Sequence, residues 1–196
     1  MKRKVINFLL MGYQISTRIG LWKNKYFISL FRIAYYQYKS ISEKNAIKFI
    51  NKNINDGDCV IDVGAMIGFY TFHLALNTGN SGKVYAFEPE KKNFEILEKY
   101  LNKANLSHRA LLTNSAVSSR SGKVQLAINK KHPADHHISV DKNKNFQMIS
   151  SISLDGFIEK NDVNLIKFIK IDVQGHELEV LKGCKMAFKR DKPMIL

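Results

Sequence analysis

Cysteine is scarce, with only Cys59 and Cys184 in 196 residues. Each sits in an apolar pattern, so both read as small buried hydrophobes. No disulfide framework is expected, and a reducing cytoplasm is the expected compartment. Long apolar runs are missing as well. A membrane helix needs about 18 apolar residues without charge. Arg18 interrupts the first candidate and Arg32 the second. Lys2-Arg3-Lys4 ahead of Val5–Tyr13 imitates a signal peptide, but Asn7 lies inside the apolar part and no A-x-A-like site follows.

Acid is the third shortage, with 17 Asp and Glu against 31 Lys and Arg for a net charge of +14. Residues 1–52 hold 11 basic residues and one acid, Glu43, and so carry +10. The remainder, with 20 basic and 16 acidic residues, carries +4. The positive field therefore belongs to the N-terminus. Ten of the 21 aromatics also fall within the first 50 residues. Residues 1–40 read as a basic, aromatic-rich helical arm, with helices around Val5–Tyr13 and Tyr26–Tyr38. Either the arm packs on the domain, or it makes peripheral contact with the inner face of a membrane.

What is present is an ordinary globular composition, 45% apolar and 24% charged. The length fits one domain with a small appendage. From residue 41 the elements alternate. Helix is expected over 42–53, strand at Cys59–Val63 and helix at Ile67–Leu76. Strand follows at Lys83–Phe87, then helix from Pro89 to about Lys103. Strands are expected at Ala110–Val117, Lys123–Ile128 and 147–153, then a short helix. Strand Lys167–Val173, helix Leu178–Lys189 and a last strand from Pro193 complete the order. Such alternation argues for an α/β fold with a mostly parallel, doubly wound sheet. Its ligands bind beyond the carboxyl ends of the strands, at the switch in strand order.

Three strand ends carry acids: Asp62 in Asp62-Val-Gly64-Ala65-Met-Ile-Gly68, Glu88 before Pro89, and Asp172 in Asp172-Val-Gln-Gly175-His176-Glu177. Gly64, Ala65 and Gly68 let backbone pass close to a ligand. The spacing is not the G-x-G-x-x-G of a dinucleotide site, and no Lys-Ser/Thr follows to make a phosphate loop. An acid at position 62 would repel a pyrophosphate and attract an ammonium group. S-adenosylmethionine (SAM) has an ammonium and no phosphate, so the electrostatics favour SAM over NAD. Glu88, 20 residues after Gly68, can accept from ribose hydroxyls of either.

With Val84–Pro89, Ser151–Asp155 and Ile169–Gly183 added to the first block, the chain resembles the FkbM-type family of SAM-dependent methyltransferases over residues 42–196. The resemblance implies a Rossmann-like class I methyltransferase fold. It also implies SAM-dependent O-methylation of a saccharide or other small hydroxyl acceptor. By position, Asp62, Gly64, Ala65 and Gly68 should cradle the methionine half of SAM and Glu88 its ribose. Asn114, Ser115 and Ala116 should flank the adenine. Asp172 should lie near the reacting methyl group and is the first candidate for general base, followed by Glu177 and His176. Gln174 stands where the family pattern has Glu.

The polar loop over 129–145 carries His132, Asp135, His136 and His137, and reads as an acceptor-binding loop rather than a metal site. The family's sheet continues with a further strand pair after the fifth core strand. The sequence ends at that strand, so a C-terminally truncated fold is expected. The exposed edge would be covered by the arm or by a second copy in a homodimer. Two rivals remain: an NAD(P)-binding oxidoreductase, and a truncated, non-catalytic SAM-binding or membrane-surface protein. The signatures of nucleic-acid methylation, N-P-P-Y/W or paired cysteines, are missing, so nucleic acid is not an expected partner.

Overall fold

A computed structural model describes residues 25–127, 137–138 and 146–196. The chain divides into two compact units, 1–48 and 49–196. In the first, helix α1 spans Lys25–Ser42. Helix α2, Lys44–Asn53, runs across the division. The expected helix at Val5–Tyr13 lies outside the described residues. Among those described, no helix is long and apolar enough to cross a membrane.

The second unit is built on a five-stranded sheet of order β3-β2-β1-β8-β9. Its strands are β1 (Cys59–Val63), β2 (Lys83–Phe87), β3 (Ala110–Thr113), β8 (Ile166–Ile171) and β9 (Met194–Ile195). Every pairing in it is parallel. Strand order runs outward from β1 to β3, and the chain then returns to the other side of β1 with β8. The switch point is therefore the β1–β8 seam.

Helix α3 (Phe69–Asn77) follows β1, and α4 (Lys91–Lys103) follows β2. On that face Val60, Val84, Ala86 and Phe168 pack with Ile50, Leu74, Leu97 and Leu101. The opposite face carries Ile61, Val63, Phe87 and Ile169. They pack with Leu154 and Phe157 of helix α5 (Leu154–Lys160) and with Val180 and Cys184. Burial pushes the Cys184 thiol up to about 12, consistent with a buried hydrophobe.

Three expectations change. The single strand expected over Ala110–Val117 is two. Asn114 turns the chain, its Nδ2 donating to the carbonyls of Glu88 (2.8 Å) and Pro89 (3.2 Å). The chain then enters a second sheet of order β4-β7-β5-β6. Its strands are β4 (Ala116–Val117), β5 (Gly122–Ala127), β6 (His137–Ile138) and β7 (Phe146–Ile152). The antiparallel β5–β7 pairing runs from Gly122↔Ser151 to Ala127↔Phe146. Finally, the helix expected over Leu178–Lys189 is broken into α6 (Glu177–Lys182) and α7 (Lys185–Asp191). The break is at Gly183, where any Cβ would overlap the carbonyl oxygen of Ser118. Asp155 starts α7 by accepting from the backbone N–H groups of Met186 and Ala187, both at 3.0 Å.

In the switch seam, Asp62 and Lys170 are register partners on adjacent strands. Both are buried, and Nζ of Lys170 lies 3.1 Å from Oδ1 of Asp62. The ammonium also donates to the carbonyl of Gly64 at 2.7 Å, and Thr71 Oγ1 donates to Asp62 Oδ2 at 2.7 Å. Removing one member of such a pair strands a buried charge, at about 3–5 kcal/mol. Lys170→Met should lower stability by that amount in urea melts. The double variant Asp62→Asn/Lys170→Met should recover most of it; a double variant no better than the single one would show that the pair is not the cause.

Candidate functional site

The carboxyl ends of β1, β2 and β8 enclose a crevice with the start of β4. Its lining includes Gly64, Met66, Glu88, Asn93, Ser115, Ala116, Asp172 and Gln174. Val63, Phe87, Val117, Leu126 and Val173 give it apolar walls. The three strand-end motifs do converge, mostly through backbone. Gly64 and Ala65 N–H both donate to the Phe87 carbonyl at 3.0 Å, and Asp172 N–H donates to that of Val63 at 3.1 Å. A Cβ on Gly64 would overlap the carbonyl oxygen of Asp172. Only glycine permits that approach, at a φ of 76°.

Glu88 is the buried acid of the crevice, 4% exposed. Its Oε2 accepts from Met66 N–H at 2.8 Å and its Oε1 from Glu90 N–H at 2.9 Å. Burial pushes the carboxyl up to about 7, against the pull of those two donors. The Asn93 side chain donates to the same carboxylate, so three donors share its four lone-pair sites. The remaining site can accept from a ribose hydroxyl. Apolar walls beside it suit a flat base, so the residues present fit a nucleoside.

The site residues expected from sequence separate into two groups. Gly64, Glu88, Ser115, Ala116 and Asp172 line the crevice. Asp62, Ala65 and Gly68 are buried and do not. Asp62 faces α3, with its charge offset by Lys170, so it does not offer a carboxylate to an ammonium group in the crevice. The strand's alternation decides this, because Asp62 shares a face with Val60. Gly68, with φ 94°, caps α3, and a Cβ there would meet Leu97 of α4. Glu177 does not reach the crevice either. Its carboxylate accepts from Gly175 N–H at 2.9 and 3.1 Å. Backbone N–H donors, its own first, hold it below the usual carboxylate range. His176 turns to Ser118, with Nε2 and Oγ 3.0 Å apart. His132, Asp135 and His136 lie outside the described residues.

Met66, Asn93 and Lys170 were not singled out by sequence. Met66, at φ 49°, supplies the N–H that holds Glu88. Asn93 sits three residues after Glu90, which caps α4 by accepting its N–H at 2.7 Å. Lys170 had a readable signal: Lys167 and Lys170 of strand Ile166–Ile171 fall on opposite faces by alternation, and only Lys167 is exposed.

A parallel sheet with helices on both faces, with a glycine turn at its switch point and a buried acid at the next strand end, has the Rossmann-like fold of the class I methyltransferase kind. Residues 62–196 match the methyltransferase FkbM domain, and the chain belongs to that family. It is 29% identical over 152 residues to the hexuronic acid methyltransferase AglP of Haloferax volcanii. That alignment covers 75% of this chain and 58% of the relative, so the chain spans rather more than half of the relative's length. The crystal structure of the methyltransferase FkbM from Methylobacillus flagellatus KT superposes with a TM-score of 0.53 at 23% identity. It covers 72% of this chain and 32% of that one.

The pH dependence of Glu88 is testable in the ligand-free protein. Its folded pKa, about 7, lies above the ordinary 4.5. Below about 4.5 both folded and unfolded chains hold the proton, and burial carries no penalty from ionisation. Above about 7 both are ionised, and the penalty is complete. Stability should therefore fall as pH rises from about 5 to 8, by up to roughly 3 kcal/mol from this group. Urea midpoints of wild type minus those of Glu88→Ala should show the slope, and a flat difference would refute it.

Proposed function

We propose that this chain is the SAM-binding part of an O-methyltransferase whose acceptor is a saccharide. The observation that carries the reading is Glu88, a buried acid at the second strand end that lines a crevice with apolar walls. In this reading Glu88 holds the ribose hydroxyls. The Gly64 turn passes the methionine half, and Ser115 and Ala116 flank the base. SAM, when bound, supplies an electrophilic methyl group on a sulfonium.

The chain's own part is positioning, which supplies much of the rate of an in-line displacement. Asp172 is exposed at the mouth of the crevice, held by its N–H to Val63. It is the group best placed to take a proton from an acceptor hydroxyl. Glu177 is withdrawn from that role by its backbone donors. The saccharide acceptor is supported by the hexuronic acid methyltransferase among the relatives. We place the protein in the cytoplasm, where the basic, aromatic-rich residues 1–40 offer a surface for contact with the inner face of a membrane. An NAD(P) site is disfavoured because family and turn both depart from the dinucleotide pattern.

Titration calorimetry with S-adenosylhomocysteine tests the assignment. Wild type should bind it, and Glu88→Ala should weaken binding at least about tenfold, the loss of a hydrogen bond to a charged group. Equal affinity in the variant, or binding of NADH instead, would overturn it. Affinity in the wild type should rise roughly tenfold from pH 6 to 8 as Glu88 ionises.

A further inference from the structure

The turn after β1 needs glycine at position 64, because a Cβ there would overlap the carbonyl oxygen of Asp172. Glycine takes either sign of φ about equally, so the residue itself does not keep the turn at its φ of 76°. Its neighbours must do so, and they hold both peptide groups of Gly64. In the first, Gly64 N–H donates to the Phe87 carbonyl at 3.0 Å. The Val63 carbonyl accepts from Asp172 N–H at 3.1 Å and from Lys170 Nζ at 3.4 Å. In the second, Ala65 N–H donates to the Phe87 carbonyl at 3.0 Å, and the Gly64 carbonyl accepts from Lys170 Nζ at 2.7 Å. Phe87 and Asp172 act through backbone. Lys170 alone acts through a side chain.

The ammonium of Lys170 serves the turn as much as it serves Asp62. It lies nearer the Gly64 carbonyl, at 2.7 Å, than the Asp62 carboxylate, at 3.1 Å. Its three N–H donors thus have three acceptors within reach: Asp62, Gly64 and Val63. Lys170 is 3% exposed and does not itself line the crevice. Val63 and Gly64 do. Any effect of this cation on a ligand must therefore pass through the turn. Among the described residues it makes no hydrogen bond or ion pair with Glu88, Ser115 or Ala116, the residues assigned to ribose and base.

We infer that Lys170 is a positioning residue for the methionine half of the cofactor: by holding the Gly64 carbonyl it keeps the turn in the shape against which that half lies. The inference rests on the SAM reading of the crevice given above. It adds a residue outside the crevice that acts on one half of the ligand. A turn already held in its binding shape costs the ligand little to order, whereas a loosened glycine turn must be ordered at each binding event. The ribose and base, held from other strand ends, do not bear that cost.

The test compares S-adenosylhomocysteine with methylthioadenosine, which keeps the base, ribose and sulfur and lacks the amino-acid end. Asp62→Asn/Lys170→Met in the full chain removes the cation without stranding its partner's charge. In titration calorimetry this variant should bind S-adenosylhomocysteine at least about tenfold more weakly than wild type, with methylthioadenosine within about twofold. Should the variant not fold, the wild-type protein decides by NMR with nitrogen-labelled lysine side chains. The buried ammonium of Lys170 should give the most slowly exchanging signal. That signal should move on adding S-adenosylhomocysteine and stay in place on adding methylthioadenosine. Equal losses for both ligands, an unchanged S-adenosylhomocysteine affinity, or a Lys170 signal that ignores S-adenosylhomocysteine or answers both ligands alike would overturn the assignment. A wild type that binds neither ligand would instead sink the cofactor reading, and this inference with it.

Discussion

The buried pair Asp62–Lys170 is the constraint on which the crevice depends. Two charges taken out of water cost several kcal/mol each unless both are paired and hydrogen-bonded. Here the ammonium meets a carboxylate 3.1 Å away and a carbonyl at 2.7 Å, and the carboxylate meets Thr71. Tyr70 lies under the same cation, 5.1 Å from ring centre to Nζ. The pair spans β1 and β8, the two strands between which the chain reverses its direction of growth. Because the ammonium holds the Gly64 carbonyl, it also fixes the turn that forms one lip of the crevice. An apolar pair could close the same seam and would often be more stable. It could not hold a carbonyl in a left-handed turn.

From that lip the crevice is assembled by backbone rather than by side chains. Phe87 receives two N–H groups from the Gly64 turn, Val63 receives that of Asp172, and Glu88 receives those of Met66 and Glu90. Main-chain contacts of this kind tolerate changes in side chain at Met66 or Gln174 but not at Gly64. Glu88 is the exception, since it lines the crevice with a buried side chain. Keeping an acid buried at the cost of its ionisation makes sense if a ligand later supplies donors, because the ligand then gains what burial has withheld.

Sequence made the parallel sheet legible because its strands are short, apolar and closed by acids and glycines. β1 and β2 fall at the expected residues, and Gly64 and Glu88, singled out at their ends, both line the crevice. What spacing could not supply was the partner. Asp62 reads as a ligand-facing acid until Lys170 appears beside it in register, and register is a property of two strands separated by 107 residues in this case. The break of Ala110–Val117 was hidden for a similar reason. Asn114 turns the chain by reaching carbonyls at Glu88 and Pro89, contacts that no local pattern encodes. The split of the last long helix at Gly183 likewise comes from Ser118, which belongs to another sheet. Glu177 shows the reverse case, in which a purely local feature, a carboxylate over its own turn, explains a residue that the family pattern had made a catalytic candidate.

The two sheets divide the cavities between them. The ends of the parallel strands line the crevice, and the β4–β5 segment, with Ser151 of β7, lines a second cavity of about 470 Å³ beside it, against His176 and Glu179. These walls meet only at Val117–Ser118 and Gln174–His176. A ribbon can change its side chains on one face without disturbing the register of a separate sheet, since its pairing is carried by backbone. Residues 118–125 and 151 can therefore change while Asp62, Gly64 and Glu88 stay as they are. Gln174 lies at the border between the two, lining the crevice two residues before His176 lines the cavity. An acid there would put a second negative charge beside Asp172, and the neutral amide does not.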